Sequence, residues 1–222
     1  MKSIVRFVLV SAALLPAAAL ADGFNVSGRI GTLGLGAELG YAFNDYVNVR
    51  LALNNYSYSY DTTEDGIEYD FDLELESKAL FLDIHPFAGA FRITGGILDN
   101  KNRLEGQAVP MGEYEIGDQT YTGAEVGTLY SNVGLGESNP VYVGLGWSKA
   151  LGRSGFGVGF DLGVVLQGSP TVRLFADGPI TENPATAAEF EANLRAEEED
   201  LQSELSNFET YPVISIGLTY QF

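Results

Sequence analysis

The chain contains no cysteine, one histidine, one tryptophan and two methionines among its 222 residues, and its 12 Lys and Arg are outnumbered by 30 Asp and Glu. The missing thiols exclude a disulfide scaffold and a thiolate metal centre. A formal charge of −18 argues against a nucleic-acid partner, which would require a basic surface. A single His leaves little scope for imidazole-based metal or acid–base chemistry. No apolar run after Ala21 approaches the roughly 20 residues that a spanning helix needs.

The first segment, 1–21, reads as an export signal. Lys2 and Arg6 form a positive start, Phe7 to Leu15 an apolar stretch too short to span, and Ala19-Leu20-Ala21 a small-residue cleavage site. Its removal would take away two bases and leave a more acidic chain, 22–222, as one domain.

What the chain does have is alternation. Leu33, Leu35, Ala37, Leu39, Tyr41 and Phe43 stand opposite Gly34, Gly36, Glu38, Gly40 and Ala42; Val47, Val49, Leu51 and Leu53 stand opposite Asn48, Arg50 and Asn54. The pattern recurs in Phe71, Leu73 and Leu75 against Asp72, Glu74 and Glu76. It recurs again in Val141 to Trp147, in Phe156 to Leu166 with Asp161 on the small face, and in Ile214 to Phe222. A period of two is the signature of strands with two unlike faces. A soluble sandwich or barrel would turn the bulky face inward. Here the other face is glycine, serine, asparagine and charge, which suits a narrow polar lumen and leaves the aliphatic and aromatic face for lipid. Closure follows, because hydrocarbon cannot hydrogen-bond an open strand edge.

Short connections at Phe43–Tyr46, Pro86–Ala90 and 151–154 alternate with long polar ones at about 61–68, 105–137 and 177–211. Short periplasmic turns and long external loops are the asymmetry of an outer-membrane barrel. The spacing predicts an all-β fold: an eight-stranded antiparallel up-and-down transmembrane barrel, both termini periplasmic. The stretch 120–137 would either extend the fifth and sixth strands or form its own hairpin. The last external loop should hold a helix, capped by Asn183 with Pro184 following. Phe190, Leu194, Leu201, Leu205 and Phe208 fall on one face of it, and Glu189, Glu191, Glu197, Glu198, Glu199, Asp200 and Glu204 on the other. That acidic side is either a solvated face or a negative mouth for cations or a partner.

The inward candidates are Glu38, Arg50, Glu74, Glu76, Lys78, Arg92 and Asp161. In so narrow a barrel these charges must pair. Either they form a closed plug of salt bridges, or they line a thin path whose acidic excess favours cations. No catalytic residue, metal site or cofactor is expected. His85 lies beside a turn with no serine nearby, and Glu74 with Glu76, roughly 7 Å apart on one strand face, are better explained as wall residues.

The segments Tyr69–Pro86, Pro140–Trp147, Phe160–Pro170 and Tyr211–Phe222 resemble the small proteobacterial outer-membrane β-barrel family, most of all its CarO-type channels and more distantly OmpA- and OmpW-type barrels. The resemblance implies a cell outer-membrane location among lipid and lipopolysaccharide, and a small-solute channel, CarO-type proteins being associated with passage of basic amino acids. It also implies that the C-terminal Phe222 is the signal read by the barrel assembly machinery. No substrate motif can be matched in this chain. Two readings therefore stand: a narrow channel for small, preferably cationic solutes, or a non-conducting barrel that supports the envelope or binds a partner through its acidic loops.

Overall fold

The computed structural model describes residues 23–64, 67–110, 112–117, 119–151 and 155–222. The expected export signal and most of the turn at 151–154 lie outside these residues.

Eight antiparallel segments close on themselves. In ring order they are β1 (Phe24–Gly31), β2 (Gly34–Asn44), β3 (Val47–Glu64), β4 (Ile67–Ile84), β5 (Phe91–Asn100), β10 (Val141–Ala150), β11 (Phe156–Leu166) and β13 (Thr210–Gln221), which pairs back with β1. The register runs from Asn25↔Gln221 to Gly31↔Ser215 at the closing seam. With no strand edge left inside this ring, every ladder within the bilayer is satisfied by a neighbour.

Except on the outer half of β4, the faces sort as the alternation requires. Ile30, Leu51, Leu53, Leu82, Ile97, Leu162, Ile216 and Leu218 are exposed on the outer wall, where hydrocarbon would cover them. Aromatic rings gather at the end carrying the short turns and both barrel termini: Phe91 packs on Trp147 (5.1 Å between centroids), Phe156 on Tyr220 (4.9 Å) and Tyr220 on Phe222 (5.0 Å). Amphipathic rings favour the lipid–water boundary, so this belt marks one membrane surface.

At the opposite end the wall continues beyond the barrel. The upper half of β4 pairs with β6 (Arg103–Pro110), β6 with β9 (Leu129–Gly134), and β9 with β12 (Thr171–Ala176). β6, β9 and β12 follow β5, precede β10 and follow β11 in the chain, so each extends a barrel strand outward after a break. Much of the 61–68 and 105–137 stretches is therefore strand. β3 runs to Glu64 and β4 restarts at Ile67. Above the membrane both faces of a strand can be polar, which erases the alternation that marks strands below.

A small cap completes the outer end. It comprises the hairpin β7 (Glu113–Ile116) and β8 (Gln119–Thr122), a single helical turn α1 (Gly123–Val126), a 3-10 turn at Pro179–Thr181 and the helix α2 (Ala187–Leu205). It has its own core of Ile116, Tyr121, Val126, Ile180, Phe190 and Leu194. α2 begins one turn later than the sequence suggests, with Thr186 at the cap position. Asn183 instead accepts the Ala185 N–H on its side chain and the Ala187 N–H on its carbonyl, forming a turn ahead of the helix. Of its apolar face Phe190 and Leu194 are buried, whereas Phe208 lies beyond the helix and is 61 % exposed.

Candidate functional site

Six charged side chains fill the barrel axis: Arg29, Arg50 and Arg92 against Glu38, Asp83 and Asp161, each with 7 % or less of its side chain exposed. The strands deliver them by parity. Each sits on the face opposite lipid-facing neighbours: Arg29 beside Ile30, Glu38 beside Leu39, Arg50 beside Leu51, Asp83 between Leu82 and Ile84, Arg92 beside Ile93, and Asp161 between Phe160 and Leu162.

The geometry is a shared network rather than three isolated pairs. Arg50 grips Asp83 with two bonds, Nε to Oδ2 at 2.6 Å and Nη2 to Oδ1 at 3.0 Å, and donates through Nη1 to Glu38 at 2.9 Å. Arg29 Nε donates to Glu38 Oε2 at 2.6 Å, and its Nη1 to Asp161. Arg92 Nη2 donates to Asp161 Oδ1 at 2.6 Å, and its Nη1 to Ser148. Thr94 and Asn48 fill the remaining acceptor sites of Asp83 at 2.7 and 3.1 Å. Three planar guanidiniums present forked donors that each reach more than one carboxylate, a geometry the point charge of a lysine ammonium lacks. Formal charge cancels, as it must where desolvating one unpaired ion costs several kcal/mol. Glycine makes the room: a Cβ at Gly146 would lie 2.6 Å from both Arg92 Nε and Asp161 Oδ1.

An apolar layer lies above the ions. Leu33, Phe81, Leu98, Tyr142, Val165 and Val213 turn inward and form one buried cluster. The Tyr142 and Phe81 rings meet edge to face at 5.1 Å, and the Arg50 guanidinium stands 5.0 Å over the Phe81 ring, joining the two layers. Between them is a void of about 30 Å³, room for one or two waters. Toward the short-turn end opens a polar vestibule of about 300 Å³ lined by Asn25, Ser27, Asn48, Ser148, Thr219 and others. Arg29 and Arg50 line both spaces and stand between them.

Of the seven inward candidates, the structure brings together Glu38, Arg50, Arg92 and Asp161. The expectation that Glu74, Glu76 and Lys78 line the lumen is corrected. On β4 the inward residues are Leu75, Ser77, Ala79, Phe81 and Asp83, all buried, while Lys78 lies opposite the exposed Leu53 on the outer wall. Glu74 pairs with Arg103, and Glu76 with Lys101 at 3.7 Å, each about half exposed. The physical reason is that the outer wall of β4 passes from the apolar Leu80, Leu82 and Ile84 to the charged Lys78, Glu76 and Glu74 at about Ala79, where a lipid-facing wall would emerge into water. Below that level the outer wall meets lipid and is apolar; above it the same wall meets water and is polar, so one polarity rule cannot hold along the strand. Arg29 and Asp83 escaped sequence reading. Arg29 could have been found, since it alternates with Gly28 and Ile30. Asp83 was hidden because Phe81, on its own inward face, is as apolar as Leu80 and Leu82 outside.

The acidic helix is also more than a solvated face. β12 is the far edge of the external sheet, and α2 stoppers it: Gln202 Oε1 accepts the Val172 N–H at 3.0 Å and Glu198 Oε2 the Leu174 N–H at 3.1 Å. Residues four apart on a helix match residues two apart on a strand, since their rises are about 6 and 6.6 Å. Glu197 accepts the Gly117 N–H and Glu189 a bond from Gln119, tying β7–β8 to the helix. The sole histidine, His85, has its Nδ1 2.9 Å from the Gly89 carbonyl within its own turn.

No protein-family model matches the chain, and no curated protein matches it in sequence. Among solved structures it is similar to Acinetobacter baumannii CarO2, with a TM-score of 0.59 and 19% identity over 90% of this chain and 99% of that one. It is similar to A. baumannii CarO at the same score and identity, over 91% and 98%. A third match, the attachment invasion locus protein Ail of Yersinia pestis, has a TM-score of 0.35 and 12% identity over 90% and 94%. The closed ring, the lipid-ready outer wall and the likeness to CarO along nearly the whole chain give this protein the fold of a small eight-stranded transmembrane β-barrel, the fold that CarO has.

Proposed function

We propose that this protein is a closed outer-membrane barrel that acts at the cell surface through its external sheet and helical cap, and does not conduct solutes at rest. The observation that carries this reading is the lumen: a charge-balanced network of six ions under an apolar layer, with only about 30 Å³ between them. A cation path built on acidic excess loses its premise once Glu74 and Glu76 lie on the outer wall and Arg29 joins the axis. The reading involves no catalysis and no cofactor. Its surroundings are outer-membrane lipid and lipopolysaccharide, and Phe222, the terminal ring of the aromatic belt, serves the assembly machinery as a recognition signal.

The test is reconstitution into planar bilayers, with folding checked by heat-modifiable migration. Silent membranes at every voltage below rupture are the expected result. A second reading, a gated path for small cationic solutes, is favoured by the vestibule, which already opens the lumen from one end. Discrete conductance steps that shrink in Asp161→Asn or Glu38→Gln would establish that reading and overturn the first.

A further inference from the structure

The external sheet has two edges, and they are treated oppositely. The β12 edge is stoppered by α2. The β3 edge is not. The β1–β2 connection is only Thr32-Leu33, and pairing of β2 with β3 ends at Leu35↔Asn55, whereas β3 runs on to Glu64 with β4 as its one partner strand. Among the described residues no strand or helix lies along the other side of Tyr58–Thr63, some 20 Å of edge at about 3.3 Å per residue. Such an edge carries a row of backbone donors and acceptors ready for another strand; of the usual guards proline, lysine and a bulge are absent from it, and the charge it carries is acidic only.

Its two faces define what would fit. Inward it offers Tyr58 and Tyr60 with Leu73 and Phe71 directly behind them, Tyr60 39 % and Phe71 36 % exposed. Outward, Asp61 lies directly opposite Asp70, with Glu68 and Asp72 opposite Thr63 and Ser59. None of these four carboxylates has an ion-pair partner among the described residues. Like charges directly across a ladder destabilise it, so a base delivered beside Asp61 would relieve the pair. A second copy of this chain would bring the same carboxylates to the same face.

We propose that the β3 edge, Tyr58–Thr63, is a strand-addition site for an extended peptide that alternates basic and apolar side chains, the bases meeting Asp61 and Asp70 and the apolar groups packing on Tyr58 and Tyr60. Main-chain bonds supply the pairing and charge sets the choice of partner. This inference rests on the reading that the barrel works through its external part.

The experiment uses the full barrel in lipid vesicles and a synthetic nine-residue peptide of alternating Lys and Val. Hydrogen exchange of the alternate Tyr58–Thr63 amides that point away from β4 should slow at least about 10-fold at saturating peptide, since a bonded edge amide must open before it exchanges. A peptide of the same composition in block order, or one N-methylated on its pairing side, should not protect. Asp61→Asn with Asp70→Asn should weaken binding about 3- to 10-fold while leaving the barrel folded, as expected for exposed charge pairs. Equal binding of the N-methylated peptide, or unprotected Tyr58–Thr63 amides, would overturn the proposal; so would protection that rises with protein concentration alone, which would assign the edge to a second copy. Conductance of the same preparation separates the two readings. Protection in a conducting barrel sinks the closed lumen only, and a silent barrel without protection sinks the edge site only.

Discussion

Removing Arg50 should damage this barrel more than removing any outward charge. Its guanidinium makes two bonds to Asp83, donates to Glu38, and covers the Phe81 ring, all with 5 % of the side chain exposed. In Arg50→Met the volume is roughly kept, but Glu38 retains only Arg29, and Asp83 is left with Thr94, Asn48 and an Arg92 Nε 3.6 Å away. Three carboxylates then face two guanidiniums, with room beside them for only one or two waters on the side of the apolar layer. Breaking a buried pair from one side costs about 3–5 kcal/mol, or about two to three and a half decades in the folding equilibrium at 1.36 kcal/mol per decade. Arg50→Lys keeps the charge and loses the fork, so it should cost less, on the order of 1–3 kcal/mol. Restoring neutrality with Glu38→Gln in the Arg50→Met background should recover part of the loss, giving a favourable coupling in the double-mutant cycle. The assay is reversible urea unfolding in lipid vesicles, followed by Trp147 fluorescence. If Arg50→Met unfolds within about 1 kcal/mol of wild type, or if Glu38→Gln adds its full cost to it, the network is not what holds the axis together.

Three further outcomes follow from the placements above. Gly146→Val should lower stability by about 1–3 kcal/mol, because its Cβ would enter the Arg92–Asp161 contact; an unchanged urea midpoint would mean that the ions can shift. Glu198→Ala with Gln202→Ala should expose the Val172 and Leu174 amides to fast exchange, at about 1 kcal/mol each for the lost bonds, while amides of β11 and β13 stay protected. Leu80→Arg, on the lipid-facing wall, should cost about 2–4 kcal/mol, whereas Lys78→Gln, one pair of residues outward on the same wall, should stay within about 1 kcal/mol in the same vesicle assay.

Amino-acid order alone determined the class, the number of membrane strands and, outside the outer half of β4, the outward direction of the greasy faces, because within a bilayer every strand experiences the same two environments and a period of two survives in each. Glu38, Arg50 and Asp161 were legible for that reason: each stands alone among small residues between lipid-facing neighbours. Only the tertiary structure decided which ions meet. Arg29 and Asp161 are far apart in the chain and adjacent in space solely because the ring closes between β13 and β1. It also decided where the membrane ends. The ladder parity of β4 puts Glu74, Glu76 and Lys78 on the outer wall, where charge can stand because beyond about Ala79 the surroundings change from hydrocarbon to water. The inner layer of Phe81, Leu98 and Tyr142 was invisible for the complementary reason, since an apolar side chain looks the same in sequence whether acyl tails or other side chains surround it. The contrast between a stoppered β12 edge and an open β3 edge likewise exists only once the strands are laid side by side, for an edge is a property of neighbours and not of any segment.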